Sequence, residues 1–214
     1  YLYWRTIANS YSAMLPLLGG LAPGPILDLG CGVGQLSGLL AALYPQAALV
    51  MQDSCLMNLV VAKRSFLHQR EFLGVVADAT LHIPLVYAAC ASVVCNDALS
   101  WFGDLSSVIS ELVRVSGPNG QVIIGALYNS VHSNCPRYTG DFRTKDGWVQ
   151  LLEKLRAVSS DIFDGEELLA NCDGRSPHAA NRDASYTFVR YPSEVQPAWE
   201  RVITDVGHFI SPAY

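Results

Sequence analysis

Charge is scarce in this sequence. Asp, Glu, Lys and Arg make up 15% of its 214 residues, against about 25% in an average globular domain. There is no Lys/Arg cluster and the net charge is −5, so no nucleic-acid partner is expected. Nor is there an apolar run near the roughly 20 residues a membrane span needs. The longest, Ile83 to Cys95, is broken by Pro84 and Ser92, so no membrane partner is expected either. The six cysteines form no CxxC and no Cys/His pair at zinc-finger spacing, which excludes a recognisable metal site. Cys31, Cys90 and Cys95 sit in apolar or Gly-rich segments, where a thiol behaves as a small hydrophobe. Reduced thiols and a cytoplasmic protein are the expectation. No signal peptide is visible, and the start at Tyr1, inside a helical pattern, predicts that residues precede it.

Apolar residues, by contrast, are half of the chain. That rules out general disorder and leaves apolar surface for a second copy or a neighbouring domain. Strand-like runs alternate with amphipathic helices. Trp4, Ile7, Ala8, Tyr11 and Leu15 fall at helical spacing before Gly19-Gly20. Strands are expected at 25–29, 47–51, 72–77, 91–96 and 122–127. Helices are expected at about 35–43 and 54–70, and around Leu105, Val108, Ile109 and Leu112 up to the turn Gly117-Pro118-Asn119-Gly120. Such alternation implies βαβ units and a mostly parallel sheet. Thr144 is a predicted cap for a helix through Trp148, Leu151, Leu152 and Leu155. Tyr186 to Tyr191 reads as an antiparallel C-terminal edge strand, and Val195, Trp199, Val202 and Val206 as a last helix. No element is assigned between Asp161 and Asp183. The expected fold is α/β, Rossmann-like and doubly wound, with an N-terminal helix at 1–20, a core at 21–192 and a helical tail at 193–214.

The sharpest local signal is Ile26-Leu27-Asp28-Leu29-Gly30-Cys31-Gly32-Val33-Gly34. A buried strand runs into a turn with glycine at every second position. Glycine allows a tight turn and close approach of a ligand, and the N-terminus of the following helix favours an anionic or polar group. A dinucleotide fingerprint would need a third glycine at position 35, which is Gln35.

The spacing GxGxG after Asp28 resembles the first motif of class I S-adenosylmethionine-dependent methyltransferases, in the small-molecule branch that includes ubiquinone/menaquinone-type enzymes. Asp53 ends the second strand and Asp78 the third. The segment Ser92 to Asp97 resembles the fourth-strand motif, and Glu111 to Gly120 the helix and Pro-Gly-Gly turn before the fifth strand. The likeness implies S-adenosylmethionine as cofactor, held by Asp28, Gly30, Cys31, Gly32, Asp53, Asp78, Ala79, Asn96 and Tyr11. Asp53 would accept from the ribose hydroxyls, and Asp78 from the adenine amine. Cys90-Ala91 replaces a frequent Phe-Asp, and Cys55 a frequent Ser.

Methyl transfer asks mainly for alignment and exclusion of water. A hydroxyl or phenol acceptor also needs a base, and the expected catalytic residue is His132, just past the fifth strand. Trp101 and Phe102 either wall the acceptor site or fill the core. The resemblance also implies that the 1–20 helix, with Trp4, Ala8 and Tyr11, is a lid over the cofactor. From it Tyr11 either reaches the cofactor or the acceptor, or simply packs the helix on the sheet. A small-molecule acceptor is expected. Two rival readings stand beside it: a methyltransferase-like domain that binds S-adenosylmethionine without turnover inside a larger protein, and an NAD-dependent oxidoreductase, which Gln35 disfavours.

Overall fold

A computed structural model describes residues 9–130, 140–155, 159–164 and 185–191. Within them, apolar runs buried on both faces form the middle of a parallel sheet, as such runs must where helices cover both sides. The elements in chain order are α1 (Asn9–Leu18), β1 (Ile26–Leu29), α2 (Gln35–Leu43), β2 (Leu49–Asp53), α3 (Leu56–Ser65), β3 (Leu73–Val76), β4 (Ser92–Asn96), a 3-10 turn (Leu99–Trp101), α4 (Leu105–Ser116), β5 (Gln121–Tyr128), α5 (Lys145–Leu151), a second 3-10 turn (Leu152–Leu155), β6 (Ser159–Asp164) and β7 (Ser185–Tyr191).

The sheet has seven strands in the order β3-β2-β1-β4-β5-β7-β6. The pairings β1–β2, β2–β3, β1–β4 and β4–β5 are parallel; β5–β7 and β6–β7 are antiparallel. The chain winds outward from β1 to β3, then restarts at β4 on the other side of β1. The reversal opens a crevice past the carboxyl ends of β1 and β4, where ligands of doubly wound sheets bind.

Side chains alternate across each strand, so the sheet separates two cores. Ile26, Met51, Val94 and Ile123 pack with Leu17 and Leu18 of α1, Leu36 and Leu40 of α2, and Leu59 and Ala62 of α3. Leu27, Val50, Val93, Val122 and Phe188 pack with Val108, Ile109 and Leu112 of α4 and Trp148 of α5. Two caps fix helix starts: the Asp104 carboxylate accepts from Ser107 N, and Thr144 Oγ1 accepts from Gly147 N.

The doubly wound sheet appears as expected, with element ends moved by one or a few residues. α3 is shorter than the expected 54–70 helix, beginning at Leu56 and ending at Ser65. The antiparallel side holds two strands: β6 starts at Ser159, just before the unassigned segment, runs into it and pairs outside β7, so the Tyr186–Tyr191 strand is not the edge it was expected to be. The expected C-terminal helix, with Trp199, and most of the expected lid lie outside the described residues.

β7 is tied to the body by Arg190, which is 2% exposed. Its guanidinium donates to Ser116 Oγ at 2.6 Å, Gly117 O at 2.9 Å and Gly120 O at 2.7 Å. Burial pulls its pKa below the ordinary range. Arg190→Met fills similar volume but strands those buried acceptors, so we expect a stability loss of about 1–3 kcal/mol. Urea denaturation curves of the two proteins check it; coincident midpoints would refute the clamp.

Candidate functional site

The Gly-rich turn after β1 is fastened to β2 by three consecutive amides. Gly30 N donates to Gln52 Oε1 at 3.1 Å, Cys31 N to Gln52 O at 2.9 Å, and Gly32 N to Asp53 Oδ2 at 2.9 Å. Gln52 Nε2 reaches on to Ala77 O at 2.6 Å, beyond β3. The turn therefore stands on a scaffold spanning three strand ends. Its amides at these positions serve the protein, and its glycines serve conformation: Gly30, Gly32 and Gly34 all have positive φ, at 67°, 53° and 86°. At Gly34 a Cβ would also lie 2.4 Å from Ala62 Cβ, so the glycine lets α2 and α3 close together.

Asp53 lies at the carboxyl end of β2 beside this turn. Besides Gly32 N, its carboxylate accepts from Cys55 N at 2.8 Å and Asn58 Nδ2 at 3.0 Å, both on Oδ1. A carboxylate offers about four lone-pair sites, so the three protein donors leave one site, on Oδ2, for a ligand hydroxyl. Asp28, 1% exposed, sits behind the turn on the same sheet face. Its carboxylate accepts from Ser37 Oγ of α2. Burial, reinforced by nearby Asp53 and opposed by the Ser37 bond, pushes its pKa up to about 7. Cys31 is buried within the turn, and burial pushes its thiol up out of the reactive range.

Asp78, past β3, is exposed and its Oδ1 accepts from Thr80 N and Thr80 Oγ1 at 2.9 and 2.7 Å. The Thr80 hydroxyl, with the Thr80 amide, holds its carboxyl below the usual range. Ala79 beside it is buried. Just past Asp53, Leu56 and Met57 on the first turn of α3 expose 59% and 62% of their surface. They were not anticipated from the sequence.

Across the crevice, β4 ends at Asn96. Among the described residues its buried Oδ1 has no hydrogen-bond partner, and it lies over Gly125, where a Cβ would come within 2.5 Å of it and within 2.7 Å of Met14 Cε in α1. Ala98 abuts the glycine turn, since a Cβ on Gly30 would stand 2.6 Å from Ala98 Cβ and 3.5 Å from Phe102 Cζ. Phe102 is thus half-buried against the turn, while Trp101 is 50% exposed at the same edge. His132 lies outside the described residues. Tyr11 falls in α1, but its side chain is outside what the structure describes. Gln52 and Ser37 were also missed; a Gln inside the buried run Leu49–Asp53 is the signal that could have flagged the first.

The residues present fit the cofactor that the sequence motifs imply. Exposed apolar side chains at Leu56 and Met57, carboxylates at Asp53 and Asp78, a glycine turn and the buried amide oxygen of Asn96 suit an adenosine carrying a polar tail. Among the described residues no cluster of His, Cys, Asp and Glu could hold a metal ion, and no helix is long and apolar enough to cross a membrane.

Known proteins agree with this geometry. Residues 27–124 match the family Methyltransf_11, described as a methyltransferase domain. The malonyl-[acyl-carrier protein] O-methyltransferase of Legionella pneumophila is 36% identical over 107 residues, 50% of this chain and 37% of that protein. The trans-aconitate 2-methyltransferase of an Azoarcus species is 28% identical over 134 residues, 63% of this chain and 50% of that protein. The chain thus spans half or less of the length of these two relatives. Among solved structures, a S-adenosylmethionine-dependent methyltransferase of Thermotoga maritima superposes with a TM-score of 0.62 at 12% identity, over 90% of this chain and 94% of that one. The glycine turn and most of the five parallel strands around it fall inside the matched segment, so this part of the chain is similar to methyltransferase domains of the type 11 kind.

Proposed function

We propose that this chain binds S-adenosylmethionine in the crevice between β1 and β4 and passes its methyl group to a small-molecule acceptor. The observation that carries the reading is the Gly30–Gly34 turn, held in positive φ at the topological switch point by Gln52 and Asp53. Asp53 would hold the ribose, and Leu56 and Met57 would flank the adenine ring, with Asp78 and Ala79 at its far edge. Gly30, Cys31 and Gly32 would give the methionine portion a surface without side-chain obstruction. Asp28 would act from behind, fixing α2 through Ser37. Asn96, with Tyr11 of α1, would meet the cofactor from the β4 side.

When bound, S-adenosylmethionine supplies a methyl group already activated by its sulfonium charge. The chain's own share of the work is alignment and exclusion of water, which Trp101 and Phe102 serve at the acceptor end. His132 stays the proposed base for a hydroxyl acceptor. The two relatives act on different molecules by name, so the acceptor does not carry over from them. Free thiols at Cys31, Cys90 and Cys95 suit a reducing, cytoplasmic setting.

Calorimetric titration with S-adenosylmethionine, S-adenosylhomocysteine and NAD tests the reading. We expect micromolar affinity for the first two, on the order of −8 kcal/mol, and none for NAD. Binding of NAD alone would return the site to dinucleotide chemistry. In Asp53→Ala the ribose loses its acceptor, and the affinity should fall by about 1–3 kcal/mol. A folded Asp53→Ala protein with parental affinity would take Asp53 out of that role.

A further inference from the structure

Two residues at adjoining strand ends have the strained backbone that folds reserve for function. Asp97 follows β4 with φ 54°, and Ala126 sits in β5 with φ 58°. They are neighbours: Asn96 pairs with Gly125, and Asp97 N donates to Gly125 O at 3.3 Å. At Gly125–Ala126 the register of β5 against β7 shifts between Ile124 and Leu127, a β-bulge. The bulge has a directional consequence. By simple alternation Tyr128 would face the same core as Val122 and Ile124. Instead Leu127 joins that core, which sends Tyr128 to the opposite face, above Asn96 and Asp97. A bulge that re-aims one side chain beside a site is a recurrent device.

What it re-aims is specific. Tyr128 Oη donates to Asp97 Oδ1 at 2.5 Å. Tyr128 is itself held: its ring stands 5.5 Å from that of Phe142, and its carbonyl accepts from Trp148 Nε1 at 3.0 Å. The segment carrying Phe142 is stitched across to the β4 side, where Asp141 N donates to Ser100 O at 2.8 Å. The next residue after Asp97, Ala98, is the one that abuts the Gly30 turn. A carboxylate oriented by a phenol therefore stands on the β4–β5 side of the switch point, with Trp101, Tyr128 and Phe142 as nearby aromatic surface.

We infer that Asp97, positioned by Tyr128, is the specificity residue of the acceptor half of the site, and that it selects an acceptor bearing an amine or hydroxyl on an apolar body over one bearing a carboxylate. The inference rests on the cofactor reading above. Its chemistry is a charge and hydrogen-bond match. An ammonium or O–H donates to the carboxylate, whereas a second carboxylate is repelled. During transfer the acceptor atom, an ammonium first having lost one proton to water, uses its lone pair to form the bond to the methyl carbon. The carbon–sulfur bond breaks with its pair going to sulfur, and the acceptor's remaining excess proton is released to water, Asp97 serving to bind and orient the acceptor. The same negative charge favours a cationic sulfonium over the neutral thioether product.

Asp97→Asn is the informative variant, because Asn tolerates positive φ and its amide oxygen still accepts from Tyr128. Calorimetry on parent and variant gives a readout independent of turnover. We expect Asp97→Asn to lower affinity for S-adenosylmethionine about tenfold relative to S-adenosylhomocysteine, and Tyr128→Phe to do so by a smaller factor. With S-adenosylhomocysteine saturating, benzylamine should bind the parent more tightly than benzoate, and Asp97→Asn should remove the preference. If both cofactor forms bind and their affinity ratio in Asp97→Asn stays within twofold of the parent's, the role of Asp97 is overturned. Benzoate binding the parent as well as benzylamine overturns the acceptor class. If neither cofactor form binds the parent, the cofactor reading falls and this inference falls with it.

Discussion

Gly32→Val should leave a folded protein with no measurable affinity for S-adenosylhomocysteine, a loss of more than about 100-fold. Gly32 holds φ 53°, a conformation in which a β-branched residue is a true outlier. Forcing valine there costs roughly 1–3 kcal/mol, tolerable within a total stability of about 5–15 kcal/mol. The chain can relieve that strain only by turning the peptide. Doing so breaks the bond from Gly32 N to Asp53 Oδ2 and releases the carboxylate proposed to hold the ribose. Glycine turn and ribose acid therefore fail together, which is why the effect exceeds that of Asp53→Ala. Gly103→Ala is the matched control, since a Cβ there meets no atom within 4 Å. Circular dichroism confirms the fold and calorimetry reads the affinity. Binding by Gly32→Val within tenfold of the parent would disconnect the turn from the ligand.

The sheet was legible because its central strands are buried on both faces and punctuated by glycine or acid at their carboxyl ends. Gly30, Asp53 and Asp78 mark those ends in the sequence as clearly as in the structure. Where burial is one-sided the signal fades. β3 reads as an ordinary apolar strand, yet as the sheet's edge it exposes Leu73 and Val76 by 55% and 50%. β6 begins Ser159-Ser160-Asp161, too polar to stand out until β7 gives it a partner.

The site was legible in its glycines and carboxylates and not in their connections. Gln52 looks like a polar accident in a buried strand, although two turn amides and the Ala77 carbonyl converge on it. The bulge at Gly125–Ala126 is invisible in Val122-Ile123-Ile124-Gly125-Ala126-Leu127, where unbroken apolarity carries no register. Without the bulge, nothing in the sequence turns Tyr128 toward Asp97. Such tertiary hydrogen bonds and register shifts depend on which strands meet, and a single chain read in one dimension does not contain that.

Asp28 is the residue whose role is most exposed to a direct thermodynamic test, and Asp28→Asn should stabilise the ligand-free protein at alkaline pH. Its carboxyl is raised to about 7 by burial, with Asp53 adding to the shift. In the unfolded chain it returns to the ordinary carboxylate range near 4. Between those values the folded protein holds a proton that the unfolded chain has released. Stability from this group is therefore full below about pH 4 and is lost as pH rises through 7. Three pH units correspond to a loss on the order of 4 kcal/mol. Asn at this position does not titrate, and its amide oxygen still accepts from Ser37 Oγ. Its amide hydrogens are a new buried donor that needs a partner, which offsets part of the gain. The net expectation is about 1–3 kcal/mol more stability than the parent at pH 8, shrinking to nothing or reversing at pH 5. Urea denaturation at the two pH values measures it, and an identical pH slope in parent and variant would show that Asp28 is ionised in the fold without penalty. Retaining so costly an acid behind the glycine turn makes sense where a bound cation repays the charge, as natural sites trade stability for function. The same variant should therefore bind S-adenosylmethionine more weakly at pH 8 while folding more tightly.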